Sequence, residues 1–271
     1  MTAADIHLHF RSLGTWVDWS HSVDGVHCGD PQAEVRGIAV AWKPYWSDLR
    51  RAHGLGCNFF LAHESIFREG GNGDETAAAS SQEQGKLAWL RETGMVVYRC
   101  HDVWDLIPRI GVRDSWARGL GFEGSPLRMA GYYRVEDVTG HTVESLARHV
   151  ADRMRTVAQP GLLVVGDGGR PVTRLGLGTG AAFQLDEMLG LGADVWVICD
   201  DYFRFVRDGA LLRDLEIPYF VANHGALEEW GIQNLARHAG SSFPGVPVHF
   251  LPQGCPYRFV AGAAATKEPR T

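Results

Sequence analysis

The sequence predicts an α/β fold built from two related lobes with mainly parallel sheets, and three observations carry that prediction. Segments of strand and helix character alternate through most of the 271 residues, as in chains assembled from βαβ units. Residues 58–62, NFFLA, are apolar at almost every position, which suits a strand covered on both faces. The first half also recurs in the second. Residues 36–64, RGIAVAWKPYWSDLRRAHGLGCNFFLAHE, and 174–200, RLGLGTGAAFQLDEMLGLGADVWVICD, share one order: strand, turn, amphipathic helix, Leu-Gly stop, strand. Leu55-Gly56 faces Leu191-Gly192 at an offset of 136 residues. In each half an apolar strand then ends in a His with an acid four residues on, His101 with Asp105 and His224 with Glu228, at a constant offset of 123. Any βαβ protein has glycines after helices and apolar strands, but the ordered match of four features favours an internal duplication.

In chain order, residues 2–14 read as a helix with Ile6, Phe10 and Leu13 on one face. Residues 16–30 read as a loop with aromatic anchors, and 34–42 as a first strand. Pro44 opens a helix to His53 that Gly54 and Gly56 end. Strand 58–62 delivers His63 and Glu64. Residues 68–85, REGGNGDETAAASSQEQG, carry almost no large apolar side chain. They read as a surface loop, or as a lid, since they leave directly from the His63 segment. A helix over 86–93 and a strand over 95–99 follow, and Pro108 confines His101 and Asp105 to a loop or a single turn. Strand character resumes over 127–135. Residues 143–157 are an amphipathic helix with Val143, Leu146, Val150 and Met154 on one face. A strand at 161–165 precedes the second βαβ unit. Residues 219–228, YFVANHGALE, read as a short strand that places His224 at its carboxyl end and a helix that puts Glu228 one turn further on. That helix continues through 231–239, a last strand covers 246–251, and the tail from 261 is expected to fray. The lobes are expected to span 1–125 and 126–271, with C-terminal elements able to pack back on the first.

Composition excludes several classes. Net charge is −6 and the pI near 6.0, without the clustered Lys and Arg of a nucleic-acid surface. The five Cys are odd in number and form no C-x-x-C, which fits a reducing compartment better than a disulfide framework. No apolar run approaches the roughly 18 residues of a membrane span, and the N-terminus lacks a signal-peptide pattern. A soluble cytoplasmic protein acting on a small molecule, with no nucleic-acid or membrane partner, is expected.

In parallel sheets, ligands gather beyond the carboxyl ends of strands. His63, Glu64, His101, Asp105, Asp200 and His224 fall there, with Glu228 one turn further on. Each His alone reads as a hydrogen-bonded strand-end residue. Three of them, with three carboxylates, form a set of N and O donors suited to one open catalytic metal or a bridged pair. No thiolate is demanded, so Fe, Mn, Zn, Co and Ni are all allowed, one or two per chain. A second signal, Gly176-Leu177-Gly178-Thr179-Gly180-Ala181, satisfies a weak dinucleotide fingerprint. It reads first as a tight strand-to-helix turn, because the equivalent Ala41-Trp42-Lys43-Pro44 is not glycine-rich. Phosphate binding through its free N–H groups stays open.

At these residues the chain resembles the Nif-three-like family, whose members often carry the name GTP cyclohydrolase 1 type 2 homologue. Gly25-Val26-His27-Cys28-Gly29 resembles the family's opening glycine motif, and His63-Glu64-Ser65 its His-His-Pro. His101–Asp105 resembles its His-Thr-x-x-Asp, residues 176–183 its glycine-rich turn, and His224 with Glu228 its closing His-x3-Glu. The resemblance covers about residues 6–260. It implies two α/β lobes, a ring-shaped homohexamer and a dinuclear metal site between the lobes. It makes His63, Asp105, His224 and Glu228 ligands, with His101 in or beside the shell. Glu64 departs from the family's second His and is expected either to ligate or to act as general base. The expected function is a metal-dependent hydrolase of a small polar or nucleotide-like substrate, the alternative a non-catalytic metal-binding or regulatory hexamer.

Overall fold

A computed structural model describes residues 1–67, 80–178, 184–201 and 203–260. The first half runs α1 (Ala3–Leu13), β1 (Gly25–Cys28), β2 (Ile38–Ala41), α2 (Trp46–Gly54), β3 (Phe59–Ala62), α3 (Ser81–Thr93), β4 (Val96–Arg99), α4 (Asp102–Leu106) and α5 (Val112–Gly119). The second runs β5 (Arg128–Ala130), β6 (Tyr133–Thr142), α6 (Val143–Met154), β7 (Leu163–Val165), β8 (Pro171–Gly178), α7 (Leu185–Gly190), β9 (Val195–Cys199), α8 (Ala210–Asp214), β10 (Tyr219–Ala222), α9 (His224–Ser242) and β11 (Val248–Phe250).

Among the described residues the strands form two sheets, ordered β1-β4-β3-β2-β11 and β5-β6-β8-β9-β10-β7. The centre of each is parallel. β4, β3, β2 and β11 run together in the first, and β8, β9 and β10 in the second. Antiparallel strands flank them: β1 beside β4, β7 beside β10, and the β5-β6 hairpin beside β8. The duplication is visible as topology. The series α1-β1-β2-α2-β3-α3-β4-α4 repeats as α6-β7-β8-α7-β9-α8-β10-α9, with the same strand order and the same antiparallel edge.

The apolar strands are buried on both faces. Phe59 and Leu61 of β3 pack with Tyr98, Ile6, Phe10, Ile232 and Leu235. Phe60 and Ala62 face the other way, with Leu49, Leu87 and Leu90. Burying each large side chain contributes roughly 1.5–3 kcal/mol. In the second sheet Leu175, Leu177, Val195 and Val197 pack on the apolar face of α6, while Trp196, Ile198 and Tyr219 meet Met188 and Leu212. Helix α9 serves both sheets. Ala226 and Leu227 join the core of the second, and Ile232, Leu235 and Ala239 that of the first. β11 also crosses back, pairing with β2.

Several expectations shift. The loop at 16–30 contains β1, held to β4 across a register irregularity between Val26 and Cys28, which hides the alternation. Residues 68–79 of the expected loop lie outside the described residues, but 81–85 are helix. Ser80 accepts from Glu83 N, and Glu83 returns a bond to Ser80 N, so a capping box starts α3 earlier than its apolar pattern. The strand over 127–135 resolves into a hairpin. Gly176 and Gly178 end β8, while 179–183 lie outside the described residues. A Cβ on Gly176 would sit 2.3 Å from the Trp196 ring, and one on Gly178 would sit 2.8 Å from Tyr133. Packing therefore accounts for both glycines. Among the described residues no helix is long and apolar enough to cross a membrane.

Candidate metal centre

Four strand ends converge on one place. β3 delivers His63 and Glu64, β4 delivers His101 and, through the single turn of α4, Asp105. β9 delivers Asp200 and Asp201, and β10 delivers His224, with Glu228 one turn into α9. All six expected donors come together. His63, Asp105, His224 and Glu228 are at most 3 % exposed, whereas the side chains of His101 and Glu64 keep 22 % and 14 %. Solvent therefore reaches the cluster from the His101–Glu64 side.

Each imidazole is oriented the same way. His63 Nδ1 lies 2.9 Å from the Cys100 carbonyl oxygen. A carbonyl only accepts, so that nitrogen carries a proton and Nε2 of the neutral ring keeps its lone pair. His63 Nε2 points at Glu228 Oε2 (3.3 Å) and Asp105 Oδ1 (3.5 Å). His224 Nδ1 is anchored by Asp201 Oδ2 at 2.9 Å, leaving Nε2 3.0 Å from Glu228 Oε1 and 3.8 Å from Glu64 Oε1. His101 Nδ1 is anchored by Asp102 Oδ1 at 3.1 Å, with Asp105 Oδ2 at 3.3 Å, and its Nε2 lies 3.7 Å from Glu64 Oε1. A carboxylate or carbonyl behind the distal nitrogen is the usual outer partner of a metal-binding His. The His63 and His101 rings stack, with centroids 4.6 Å apart.

Among the described residues, three triplets of ligand atoms lie within 4.8 Å: His63–Glu64–His101, His63–Asp105–Glu228 and Glu64–His224–Glu228. Glu228 divides its oxygens between His63 and His224, the disposition of a bridging carboxylate. His63 Nε2, His224 Nε2 and Asp105 Oδ1 are buried without a hydrogen-bond partner. Buried polar atoms are normally satisfied, so these orphans, spread over the two triplets that share Glu228, fit cations bound within the cluster.

The electrostatics agree. Burial works against charge on His63, yet Glu228 and Asp105 overcome it and hold its pKa well above the ordinary value. The His224 pKa is likewise pushed up to about 10, with Glu228 and Asp201 outweighing burial. Burial would raise Glu228, but His224 and His63 keep it well below the carboxylate range. Glu64 is lowered too, as His101 and His63 outweigh its burial. Protons on imidazoles supply the positive charge this carboxylate cluster needs, and a divalent cation supplies it in their place.

Sequence reasoning missed the supports. Trp42 donates from Nε1 to Glu228 Oε2 at 2.7 Å, and its ring stands edge-on to His224, with centroids 5.1 Å apart. Arg99 donates to the His63 carbonyl (3.1 Å) and to Glu64 Oε2 (3.1 Å). Asp24 accepts from the backbone N–H groups of His101, Asp102 and Val103, and Asp200 from that of His224. Asp200 is marked in the sequence by its strand-end place, and Asp102 and Asp201 only by standing beside His101 and Asp200. Trp42 and Arg99 gave no signal.

Such a fold and site define a two-lobed α/β protein whose halves jointly build a candidate centre for divalent cations. Residues 10–256 match the Duf34/NIF3 (NGG1p interacting factor 3) family, and the chain belongs to it. A Pseudomonas aeruginosa protein named GTP cyclohydrolase 1 type 2 homolog is 28 % identical over 189 residues, 68 % of this chain and 70 % of that protein. Among solved structures, Staphylococcus aureus hypothetical protein SA1388 is similar over 96 % of this chain and 99 % of its own, with TM-score 0.77 and 17 % identity. Protein ybgI, of unknown function, is similar over 95 % and 100 %, with TM-score 0.78 and 19 % identity. Reduced HcgD from Methanocaldococcus jannaschii is similar over 93 % and 98 %, with TM-score 0.71 and 18 % identity. At these identities the structural likenesses speak for the fold alone.

Proposed function

We propose that the chain is a metal-dependent hydrolase of a small polar or nucleotide-like substrate. The observation that carries this reading is the common pose of the three imidazoles, each anchored at Nδ1 and each turning Nε2 toward shared carboxylates. His63, Asp105 and Glu228 would hold one divalent cation and Glu64, His224 and Glu228 a second, with His101 completing the shell beside Glu64. Cations bound there lower the pKa of a coordinated water and polarise the group under attack. Fe, Mn, Zn, Co and Ni all suit such N and O donors.

The protein's own residues do the rest. Trp42 and the backbone contacts of Asp24 and Asp200 fix the ligands before substrate arrives, and the buried His63–Glu228 side excludes water. Glu64 serves better as a ligand than as a general base. His101 and His63 outweigh its burial and favour its carboxylate form, which strips it of basicity, while Arg99 holds it at 3.1 Å. By family resemblance the chain forms a homohexamer, which light scattering on the purified protein tests.

Elemental analysis of the purified protein and of His224→Ala is the first experiment, followed by a panel of phosphate esters, cyclic amides and nucleotides. About two metals per chain, reduced in His224→Ala, with turnover of one substrate class, is the expected result. A metal-replete protein inert across the panel would overturn the hydrolase reading, and no uptake under any loading condition would remove the metal site itself.

A further inference from the structure

Lys43 lies two residues beyond the end of β2, on the edge of the sheet where the metal-centre residues emerge. Its neighbour Trp42 reaches Glu228 and His224. The Lys43 backbone is clamped from both sides. Its N–H donates to Gln253 Oε1 at 3.0 Å and its carbonyl accepts from Gln253 Nε2 at 2.6 Å. Gln253 is itself held by Asp48 (2.7 Å) and by Glu229, which accepts from its N–H at 3.1 Å. So the residue is placed firmly, although it belongs to a turn.

The Lys43 ammonium donates to the Ser65 carbonyl at 3.0 Å, one residue from Glu64. It forms no ion pair with a described residue, so two of its three donors are left over. It is half-buried, and burial lowers its pKa while Glu64 and Asp201, at the two strand ends of the centre, raise it. Glu64 belongs to the side where the cluster meets solvent, and the Asp201 side chain is 55 % exposed. Lys43 therefore stands at the opening. A second ammonium, Lys86, bonded to the Pro44 carbonyl at 2.9 Å, lies close enough to repel it. The Glu83 carboxylate acts on both, yet neither ammonium forms an ion pair with a described residue, and two partly desolvated cations near one another are eased by a further anion. Arg99, which pairs with Glu64 at 3.1 Å, is a further fixed cation on the solvent side of the cluster.

We propose that Lys43 is the anion-recognising residue of this site, and that the substrate carries a phosphate group seated between the Lys43 ammonium and the cations of the His–carboxylate cluster. The proposal rests on the metal-centre reading and narrows its substrate class. Lysine binds phosphate as a compact point charge, and a phosphate group, with close to two negative charges at neutral pH, answers neighbouring ammonium groups better than a single carboxylate.

The test uses metal-loaded full-length protein, Lys43→Met, and Lys43→Gln, which keeps a donor for the Ser65 carbonyl but carries no charge. Metal content is measured first, then binding of inorganic phosphate by calorimetry, then kcat and KM on phosphate esters and on neutral cyclic amides. The expected result is unchanged metal content, phosphate affinity reduced roughly 10- to 100-fold in both variants, and a raised KM for phosphate esters alone. Retained phosphate affinity in a folded, metal-replete Lys43→Gln would overturn the role of Lys43 and leave the metal centre standing. Turnover of neutral amides only would do the same for the phosphate class. A wild-type protein that takes up no metal would instead remove the centre, and this proposal with it.

Discussion

Replacing Glu228 by Gln keeps the side chain's volume and removes one charge. The carboxylate has Oε1 3.0 Å from His224 Nε2 and Oε2 3.3 Å from His63 Nε2, and Trp42 donates to Oε2 at 2.7 Å. In the variant the amide oxygen accepts from Trp42 and the amide nitrogen faces His224 as a donor. A donor there is compatible with a neutral His224 ring and not with a charged one. The His224 pKa, about 10 in the wild type, then falls back toward its ordinary value near 6.5. A folded-state pKa above the unfolded value contributes stability that is fully present below the unfolded pKa and is lost as pH rises through the folded one. The variant lacks that contribution, so with a chelator present its deficit is greatest near pH 6 and closes toward pH 10. Removing one member of a buried pair costs about 3–5 kcal/mol, which sets the scale at the acid end. Denaturant unfolding at pH 6 and pH 9.5 measures it. A deficit independent of pH, or below about 1 kcal/mol at pH 6, would refute the assignment of Glu228 as the shared counter-ion of His63 and His224. With metal present the same variant should lose about one equivalent of the roughly two expected of a bridged pair.

Metal uptake should release protons and tighten with pH, because the raised pKa values of His63, His101 and His224 leave rings that must deprotonate to ligate. Calorimetry in two buffers of different ionisation enthalpy reads this directly, and zero proton release would contradict it. Asp201→Asn should keep the fold while weakening metal binding about 10- to 100-fold, the usual effect of losing a carboxylate behind a ligating His. Chelator competition checks this, and unchanged affinity would make the 2.9 Å contact incidental. Gly176→Ala should destabilise the protein by roughly 1–3 kcal/mol through overpacking on Trp196, without changing metal content. A neutral result in thermal unfolding would reopen the nucleotide reading of that turn.

The sequence made the parallel cores legible because their strands are buried on both faces, which leaves short apolar runs such as FFLA, YFVA and VWVIC. It made the six donors legible because His63, His101 and His224 each follow such a run. The supports were hidden for a physical reason. Trp42 and Arg99 act across the fold, Trp42 on a residue 186 positions away, and nothing local marks an indole aimed at a carboxylate. β1 was hidden by its irregular register, and the start of α3 by a polar first turn whose information lies in its cap. The β5-β6 hairpin joins the second sheet antiparallel to β8, an arrangement that the duplication could not suggest because the first half has no counterpart.

The repeat explains why the centre sits where it does and why its ligands differ. β3 and β9 occupy equivalent places and are followed by His63–Glu64 and Asp200–Asp201, and His101 with Asp105 corresponds to His224 with Glu228. In the first half the strand-end pair faces the candidate metal centre, and a separate acid, Asp24 before β1, holds the His101 turn. In the second half the strand-end pair takes the supporting role: Asp200 receives the His224 N–H and Asp201 the His224 ring. A duplication supplies two imidazole–carboxylate turns facing one another, and divergence of a single strand end leaves candidate ligands after β3 and supports after β9. The helix that bears His224 and Glu228 packs on both sheets, so the centre is rigid only while the halves stay docked. Any substitution that loosens Ile232 or Leu235 from the first sheet should therefore weaken metal binding from more than a helical turn away.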